Sequence, residues 1–401
     1  MRVLVDCRGI CPTKSGGIEN YAYSMIVGLS RFVGQIVVDV DLPDLGCYRA
    51  KLGHCANVSF VADPVSGWLT WWTRQQSLSG APARLIYRAQ PRVGLCLMGR
   101  RSKWASRQHA DVVFYPFHGH FPQHTHLPSV TTIHAPLPED DSAMKAAIQA
   151  HIDGAQAVVT SWPYPYAELS RVMGDQSRKL FMIPYTPWHN LDGPSGVDLS
   201  RYQLDAPYYF YPAVIQPRKN HANLIEAVAV LRCMGHPRRL FVFAGGGDSR
   251  LRSQLEAQAA RADVSDWIRF LGYVTDREVS ELYRNCYATI SVSLWEAGMA
   301  TLQEGCAVGR PALCSRIAPA IEHSRLLGVE VGFFDPLDVR SIATSIVDFE
   351  SNYDWFLRSA QGAMSVIRRL DYDFMGRRLA DVMRYAAGSG ATPGWAPYSL
   401  D

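Results

Sequence analysis

No C-x-x-C pair occurs anywhere in the chain, although it holds nine cysteines, an odd number scattered from Cys7 to Cys314. That spacing argues against a disulfide framework or a structural zinc site and fits the reduced thiols of a cytosol. No apolar run approaches the ~20 residues of a membrane span. The amino-terminal stretch MRVLVDCRG is broken by Asp6 and does not read as a signal peptide. The expectation is a soluble cytoplasmic protein, or one held peripherally at the inner face of a membrane. An excess of one charge is also missing. Lys+Arg total 40 against 37 Asp+Glu, a formal net charge of +3, which is too small to argue for a nucleic-acid partner. What is present is ordinary globular composition, 48% hydrophobic and 19% charged over 401 residues, with room for two domains.

One stretch organises the rest: Ser293 to Ser315, SLWEAGMATLQEGCAVGRPALCS. A β-branched run, Tyr287 to Ser293, leads into it as a buried parallel strand. After a loop with Gly298 comes an apolar helical segment, Leu302 to Val308, stopped by Gly309 and Pro311, and then a second strand. The unit carries Glu296 in the turn and Glu304 on the helix, with seven residues between them. In an open parallel sheet ligands collect at the carboxyl ends of the strands, beside helix N-termini whose free N–H groups attract anions. Eight residues of helix would rise roughly 12 Å. The two acids can then touch different parts of one extended ligand, and are too far apart to be assumed an acid/base pair on one bond.

Strand and helix alternate along the whole chain. Arg2 to Cys7 is a strand, PTKSGG (12–17) a loop, and Ile18 to Leu29 recurs at helical spacing. Gly16 and Gly17 end that loop just before the helix, where glycine lets backbone approach a phosphate; a plain loop is the competing reading. Gln35 to Leu42, Val58 to Ala62, Asp111 to Phe117, Ser129 to His134, Ala155 to Thr160 and Leu180 to Ile183 continue the strands. His118 and His134 each stand where a strand ends. His120, His124 and His126 cluster in a loop without cysteines or paired acids, so no metal is expected. Trp68, Trp71 and Trp72 precede a run from Arg84 to Arg107 that is basic and lacks acids. It suits an anionic membrane interface or a lipid-diphosphate acceptor, and equally tryptophans in a core with arginines on a solvated face. Pro184 to Pro207 thins into a Pro- and Gly-rich linker. A second alternation follows: Tyr208 to Ala213, a helix after IQPRKNH (215–221), Leu240 to Ala244, Ile268 to Tyr273, and a helix Asp276 to Tyr283. Lys219 lies just before a helix N-terminus, where its cation and the helix dipole can meet a diphosphate.

The paired acids and their flanks resemble the E-x7-E element of the retaining glycosyltransferases of the GT-B fold, in particular glycosyltransferase family 4. Ser293, Glu296, Glu304, Gly309 and Pro311 carry the match, with Gly305 where the family writes Ala. Gly16-Gly17-Ile18-Glu19 resembles the family's Gly-Gly-x-Glu. Pro217, Lys219 and Asn220 resemble its Pro-x-Lys-Asn, and VGFFDP (331–336) with Asp338 its F-D-P-x-D. Departures are as specific. Ala297, Gly298, Met299, Ala300 and Thr301 stand where the family has Gly-Phe-Gly-Leu-Pro. Ala213 and Val214 stand where it has Gly and a phosphate-binding Arg, and Ala135 follows His134 where it has Asp.

The resemblance implies an α/β protein of GT-B type: two Rossmann-like, doubly wound domains facing a central cleft. Residues 1–184 would form the acceptor-binding domain, 185–207 the linker and 208–372 the nucleotide-sugar domain; 373–401 would supply a helix crossing back to the first domain, and a tail. It implies a retaining, metal-independent hexosyltransferase of cell-surface polysaccharide or glycoconjugate synthesis, moving a sugar from a nucleotide-sugar to a saccharide or lipid-linked acceptor. In that reading the nucleotide-sugar is a co-substrate and no cofactor is needed. Glu296 lies by the donor sugar with His118 or His134. Lys219, Arg218, Gly16 and Gly17 meet the diphosphate, Glu304 the ribose, Gly298 the sugar, and Gly272 and Tyr273 the base. Two alternatives stay open: a sugar-nucleotide epimerase on the same architecture, and a non-catalytic nucleotide-sugar binder, motivated by Val214 and the altered loop.

Overall fold

Short runs of β-branched and aromatic residues, buried on both faces, form every central strand, as helices packed on both sides of a sheet require. The structure is a computed structural model that describes residues 1–10, 17–62, 104, 106–117, 126–135, 142–185 and 196–395. β1 (Arg2–Asp6), β2 (Gln35–Asp39), β3 (Val58–Val61), β4 (Val112–Tyr115), β5 (Ser129–Thr132), β6 (Ala157–Thr160) and β7 (Leu180–Met182) pair in parallel as a 7-stranded sheet. Its order is β3-β2-β1-β4-β5-β6-β7. β8 (Tyr208–Pro212), β9 (Leu240–Ala244), β10 (Ile268–Gly272), β11 (Ala288–Ser291), β12 (Ala312–Ser315) and β13 (Gly332–Phe334) pair as a 6-stranded parallel sheet, order β10-β9-β8-β11-β12-β13. Strand order reverses between β1 and β4 in one sheet and between β8 and β11 in the other. Those are the two switch points at which such sheets open a crevice.

The first half contributes α1 (Gly17–Ser30), α2 (Leu45–Leu52), α3 (Ser142–Gly154) and α4 (Pro163–Met173). The second contributes α5 (His221–Cys233), α6 (Ser249–Arg261), α7 (Asp276–Asn285), α8 (Ala300–Ala307), α9 (Ala318–Leu327), α10 (Val339–Ser351), α11 (Tyr353–Arg369) and α12 (Tyr372–Ala386). Start signals are local. Thr275 and Glu278 close a capping box on α7, and Asp338 and Asp371 cap α10 and α12 by accepting backbone N–H bonds. Among the described residues no helix is long and apolar enough to cross a membrane.

Several elements differ from the sequence reading at their edges. The first helix of the acidic unit runs Ala300–Ala307 rather than 302–308, so only the later part of the Glu296–Glu304 interval is helical. The uniform helical rise considered for the two acids does not apply. The second strand stops at Asp39, because the chain turns at Asp41 into a 3₁₀ turn with Leu42 exposed. The α10–α11 pair fills the stretch after Asp338, of which the sequence showed only the start.

α12 leaves the second half of the chain and lies in the core of the first. Met375, Leu379, Ala380, Val382 and Met383 are buried with Val3, Val5, Met25 and Ile26. The crossing of α1 and α12 depends on two glycines. A Cβ on Gly28 would stand 2.7 Å from the carbonyl oxygen of Tyr372, and one on Gly376 only 2.1 Å from that of Gly28. Backbone touches backbone there, so no side chain can give way. Gly376→Ala is expected to destabilise the chain by roughly 1–3 kcal/mol, the usual range for overpacking. A lowered thermal midpoint with unchanged helix content in the far-ultraviolet would show it; an unchanged midpoint would mean that the helices separate freely.

Candidate active site

The site is assembled from loops at the carboxyl ends of the strands of the second sheet. β11 delivers Ser293 to Glu296. β8 delivers Gln216 to Asn220, ending in a 3₁₀ turn, Pro217–Lys219, and an Asn220 in the left-handed region (φ 56°) that starts α5. A phenol from inside the sheet ties them together. Tyr211 Oη, fully buried, donates to the Lys219 carbonyl at 2.9 Å and lies 2.8 Å from Ser293 Oγ. Leu294 N–H donates to the Arg218 carbonyl at 2.9 Å. Asn220 and Asn223 both donate side-chain N–H bonds, 2.8 and 2.9 Å, to the Pro336 carbonyl, which adds the loop after β13.

On this frame Glu296 holds two cations. Its Oε1 pairs with Lys219 Nζ, and its Oε2 accepts from Arg218 Nη1 at 3.3 Å. The Lys219 and Glu296 side chains are about equally buried, 15% and 14% exposed, whereas Arg218 is 43% exposed. Burial pulls the Lys219 ammonium below the ordinary lysine value of 10.5, Glu296 pulling the other way. The unit carries two positive charges against one negative, so its surplus is positive.

Glu304 lies inside, 7% exposed, with Oε2 accepting from Tyr283 Oη of α7 at 2.6 Å. Burial and the nearby carboxylate raise the Tyr283 phenol well above its usual range, so it stays a donor. Gly272 ends β10 in the left-handed region (φ 70°), and its carbonyl accepts from Gly245 N–H at 2.8 Å. Tyr273 beside it is 61% exposed. Gly298 stands on the loop between Glu296 and α8, against the indole of Trp162.

From the first domain, Gly17 opens α1 with no atom within 4 Å of a built Cβ. Glu19, next but one, is buried and paired with Lys51 Nζ at 3.0 Å, and Lys51 stands 3.9 Å from Asp276 of the second domain. His134 packs edge-on to Tyr21 (4.6 Å between ring centres) with Nε2 2.8 Å from the Pro116 carbonyl. Burial pushes it down to about 4, the hydrogen bond opposing. Gly16 and His118 lie outside the described residues, as do Trp68, Trp71, Trp72 and the basic run up to Lys103; Arg107 follows in a short turn.

Four residues escaped the sequence reading. Tyr211 and Tyr283 looked like ordinary core aromatics, and only the fold reveals what their hydroxyls reach. Trp162 was hidden before Pro163, and His323 on α9, buried with Nδ1 accepting the Met299 N–H at 3.2 Å, carried no spacing signal. The W-P dipeptide at a strand exit was the available clue for Trp162, since a residue before proline is held extended.

Three buried imidazoles are held below the ordinary 6.5: His134 and His221 at about 4 and His323 at about 3, burial dominating each time. Unfolding exposes them to ordinary protonation. Their contribution is therefore intact above about pH 6.5 and lost progressively as pH falls towards about 4. Urea midpoints should fall between pH 7 and pH 5, and His323→Gln should flatten the slope; a pH-independent midpoint across that window would contradict the assignment.

Comparison with known proteins gives similarities of three kinds, to a family model, to a protein sequence and to solved structures. Residues 200–355 match the family model described as Glycosyl transferases group 1. The O-antigen chain mannosyltransferase B of Escherichia coli is 26% identical over 278 residues, covering 64% of this chain and 70% of that protein. Among solved structures, Anabaena HepE in complex with UDP and glucose superposes with a TM-score of 0.69 at 16% identity, covering 95% of this chain and 98% of that one. A sucrose-phosphate synthase from Thermosynechococcus elongatus superposes at 0.73 and 15% identity, covering 96% and 98%. The two parallel sheets with their surrounding helices are the GT-B architecture.

Proposed function

We propose that this chain, whose residues 200–355 match the model of the group 1 glycosyl transferases, carries out a retaining sugar transfer from a nucleotide-diphosphate sugar to a hydroxyl of a saccharide or lipid-linked saccharide, in cell-surface polysaccharide synthesis. The observation that carries it is the Glu296 carboxylate holding Lys219 and Arg218 together at the strand ends of the second sheet. The E. coli relative acts on O-antigen chains and is named a mannosyltransferase, and the Anabaena structure holds UDP and glucose. These names support a hexosyl donor and a polysaccharide product.

The reaction breaks the bond between the anomeric carbon and a diphosphate oxygen and forms one to the acceptor hydroxyl oxygen. The hydroxyl proton passes to the departing diphosphate on the same face. Charge develops negative on the leaving group and positive on the sugar ring, and stabilising both is the catalytic task. Lys219 and Arg218 turn from Glu296 to the diphosphate when it arrives. They supply without a metal the positive charge that the departure needs, and Arg218 takes the place left by Val214. Glu296, released, faces the ring and supports its positive charge. Glu304, oriented by Tyr283, takes the ribose hydroxyls. Gly16, Gly17 and the helix N-termini add backbone N–H groups, Gly272 and Tyr273 border the base, Gly298 borders the sugar, and His118 or His134 approaches it from the first domain. His134, held near 4, does so as a neutral imidazole at neutral pH.

Glu296→Gln is the test. It should lower turnover by about 100-fold or more, the scale of a lost charge-stabilising group, while nucleotide binding survives. A variant with wild-type turnover would remove the carboxylate from the mechanism. Docking on an anionic membrane through Trp68, Trp71, Trp72 and the Arg84–Arg107 run is part of the same proposal. Flotation with liposomes containing anionic lipid should carry the protein upward, and its staying at the bottom would remove that part.

A further inference from the structure

Trp162 belongs to the first domain and stands in the acidic loop of the second. Pro163 at the first position of α4 holds it extended (φ −133°, ψ 150°) at the exit of β6. Its indole lies flat on the α-carbon of Gly298. A Cβ built there would be 2.3 Å from each of Cδ1, Cδ2 and Cε2, passing into the face of the five-membered ring. Any side chain at 298 would displace the indole, so glycine is the residue that this seat requires.

The rest of the seat also spans both domains. His323 of α9 lies 4.5 Å from the indole between ring centres, and Tyr185, at the end of the first domain, lies 5.8 Å away. His323 Nδ1 accepts the N–H of Met299, the residue after Gly298. Four residues on, buried Gln303 donates from Nε2 to the Tyr185 carbonyl at 2.8 Å. Both ends of the Gly298–Gln303 segment are thus held against the first domain. Glu296 lies two residues before that segment and Glu304 immediately after it.

We infer that Trp162 is a positioning residue: a latch that, seated on Gly298, sets the Glu296–Glu304 segment in place when the two domains meet. The two carboxylates stand correctly relative to each other only with the indole seated, and a donor must be enclosed by both domains before transfer begins. The catalytic half of this inference rests on the transferase reading above; the structural half does not.

X-ray scattering in solution without ligand tests the latch by itself. Trp162→Ala should increase the radius of gyration beyond the spread of replicate wild-type curves. Gly298→Ala should do the same from the other side, by pushing the indole off. Trp162→Phe, which keeps an aromatic face, should scatter like wild type. In transfer assays Trp162→Ala should lose about 10-fold or more in kcat, within the ~10²-fold that misplacement can cost, with a smaller change in donor KM. Trp162→Phe should recover most of it. Unchanged scattering in both alanine variants overturns the latch, and so does expansion with unchanged kcat. Should the wild type transfer no sugar from any donor, the transferase reading fails, while the scattering still decides the latch. Should Trp162→Ala fail to fold, Gly298→Ala and Trp162→Phe decide it.

Discussion

Two cations of the loop after β8 are held by one carboxylate of the loop after β11, and the rest of the site depends on that. Lys219 and Arg218 are adjacent in the chain, and Lys219 is taken largely out of water. Like charges that close repel, and desolvation adds to the cost of the buried one. Glu296 offsets both effects. A ligand carrying two or more negative charges offers the cations a better partner, while an apolar or neutral ligand offers none. With two positive charges against one negative, the ion cluster favours a ligand of more than one negative charge over a neutral one.

The scaffold ties these two loops together. Tyr211, buried in β8, holds the backbone of Lys219 and the hydroxyl of Ser293 at once, which keeps the loops in register. Glu304 is set apart, behind Tyr283, on a helix of its own. The division follows from parallel topology. Each strand ends on the same side, and each end can carry one group to a shared crevice without another strand intervening.

Much of the fold was legible because each buried parallel strand is a short apolar run and many of the helices bury one face and expose the other. Boundaries were less so: Leu42 belongs by composition to the β2 run, yet the chain leaves the sheet before it. In the candidate site, Glu296 and Lys219 were legible because charged residues in the loops after strands stand out against an apolar background, and Glu304 because it follows Glu296 at a set spacing on a short apolar helix. Tyr211, Tyr283 and Trp162 were not. Their aromatic bodies satisfy the packing pattern, and their second task lies in a hydroxyl or a ring face whose partner is distant in sequence. His323 was silent for the same reason, since a lone histidine on a helix has no partner until α4 and α9 come together. The small residues between the two acids read as a departure from the family, and the structure gives the physical cause for one of them: an indole from the other domain rests on Gly298.

The most direct measurement is calorimetric binding of a nucleoside and of its diphosphate, for the uridine, guanosine and adenosine pairs, to wild type and to Lys219→Met. Wild type should bind one diphosphate far more tightly than its nucleoside. Lys219→Met should lose most of that difference while nucleoside affinity is unchanged. Because burial lowers the Lys219 ammonium, the wild-type difference should begin to fade on the alkaline side below pH 10.5 as the cation loses its proton. A diphosphate increment of the same size in wild type and Lys219→Met would contradict the account, because the paired cations would then not be the diphosphate receptor.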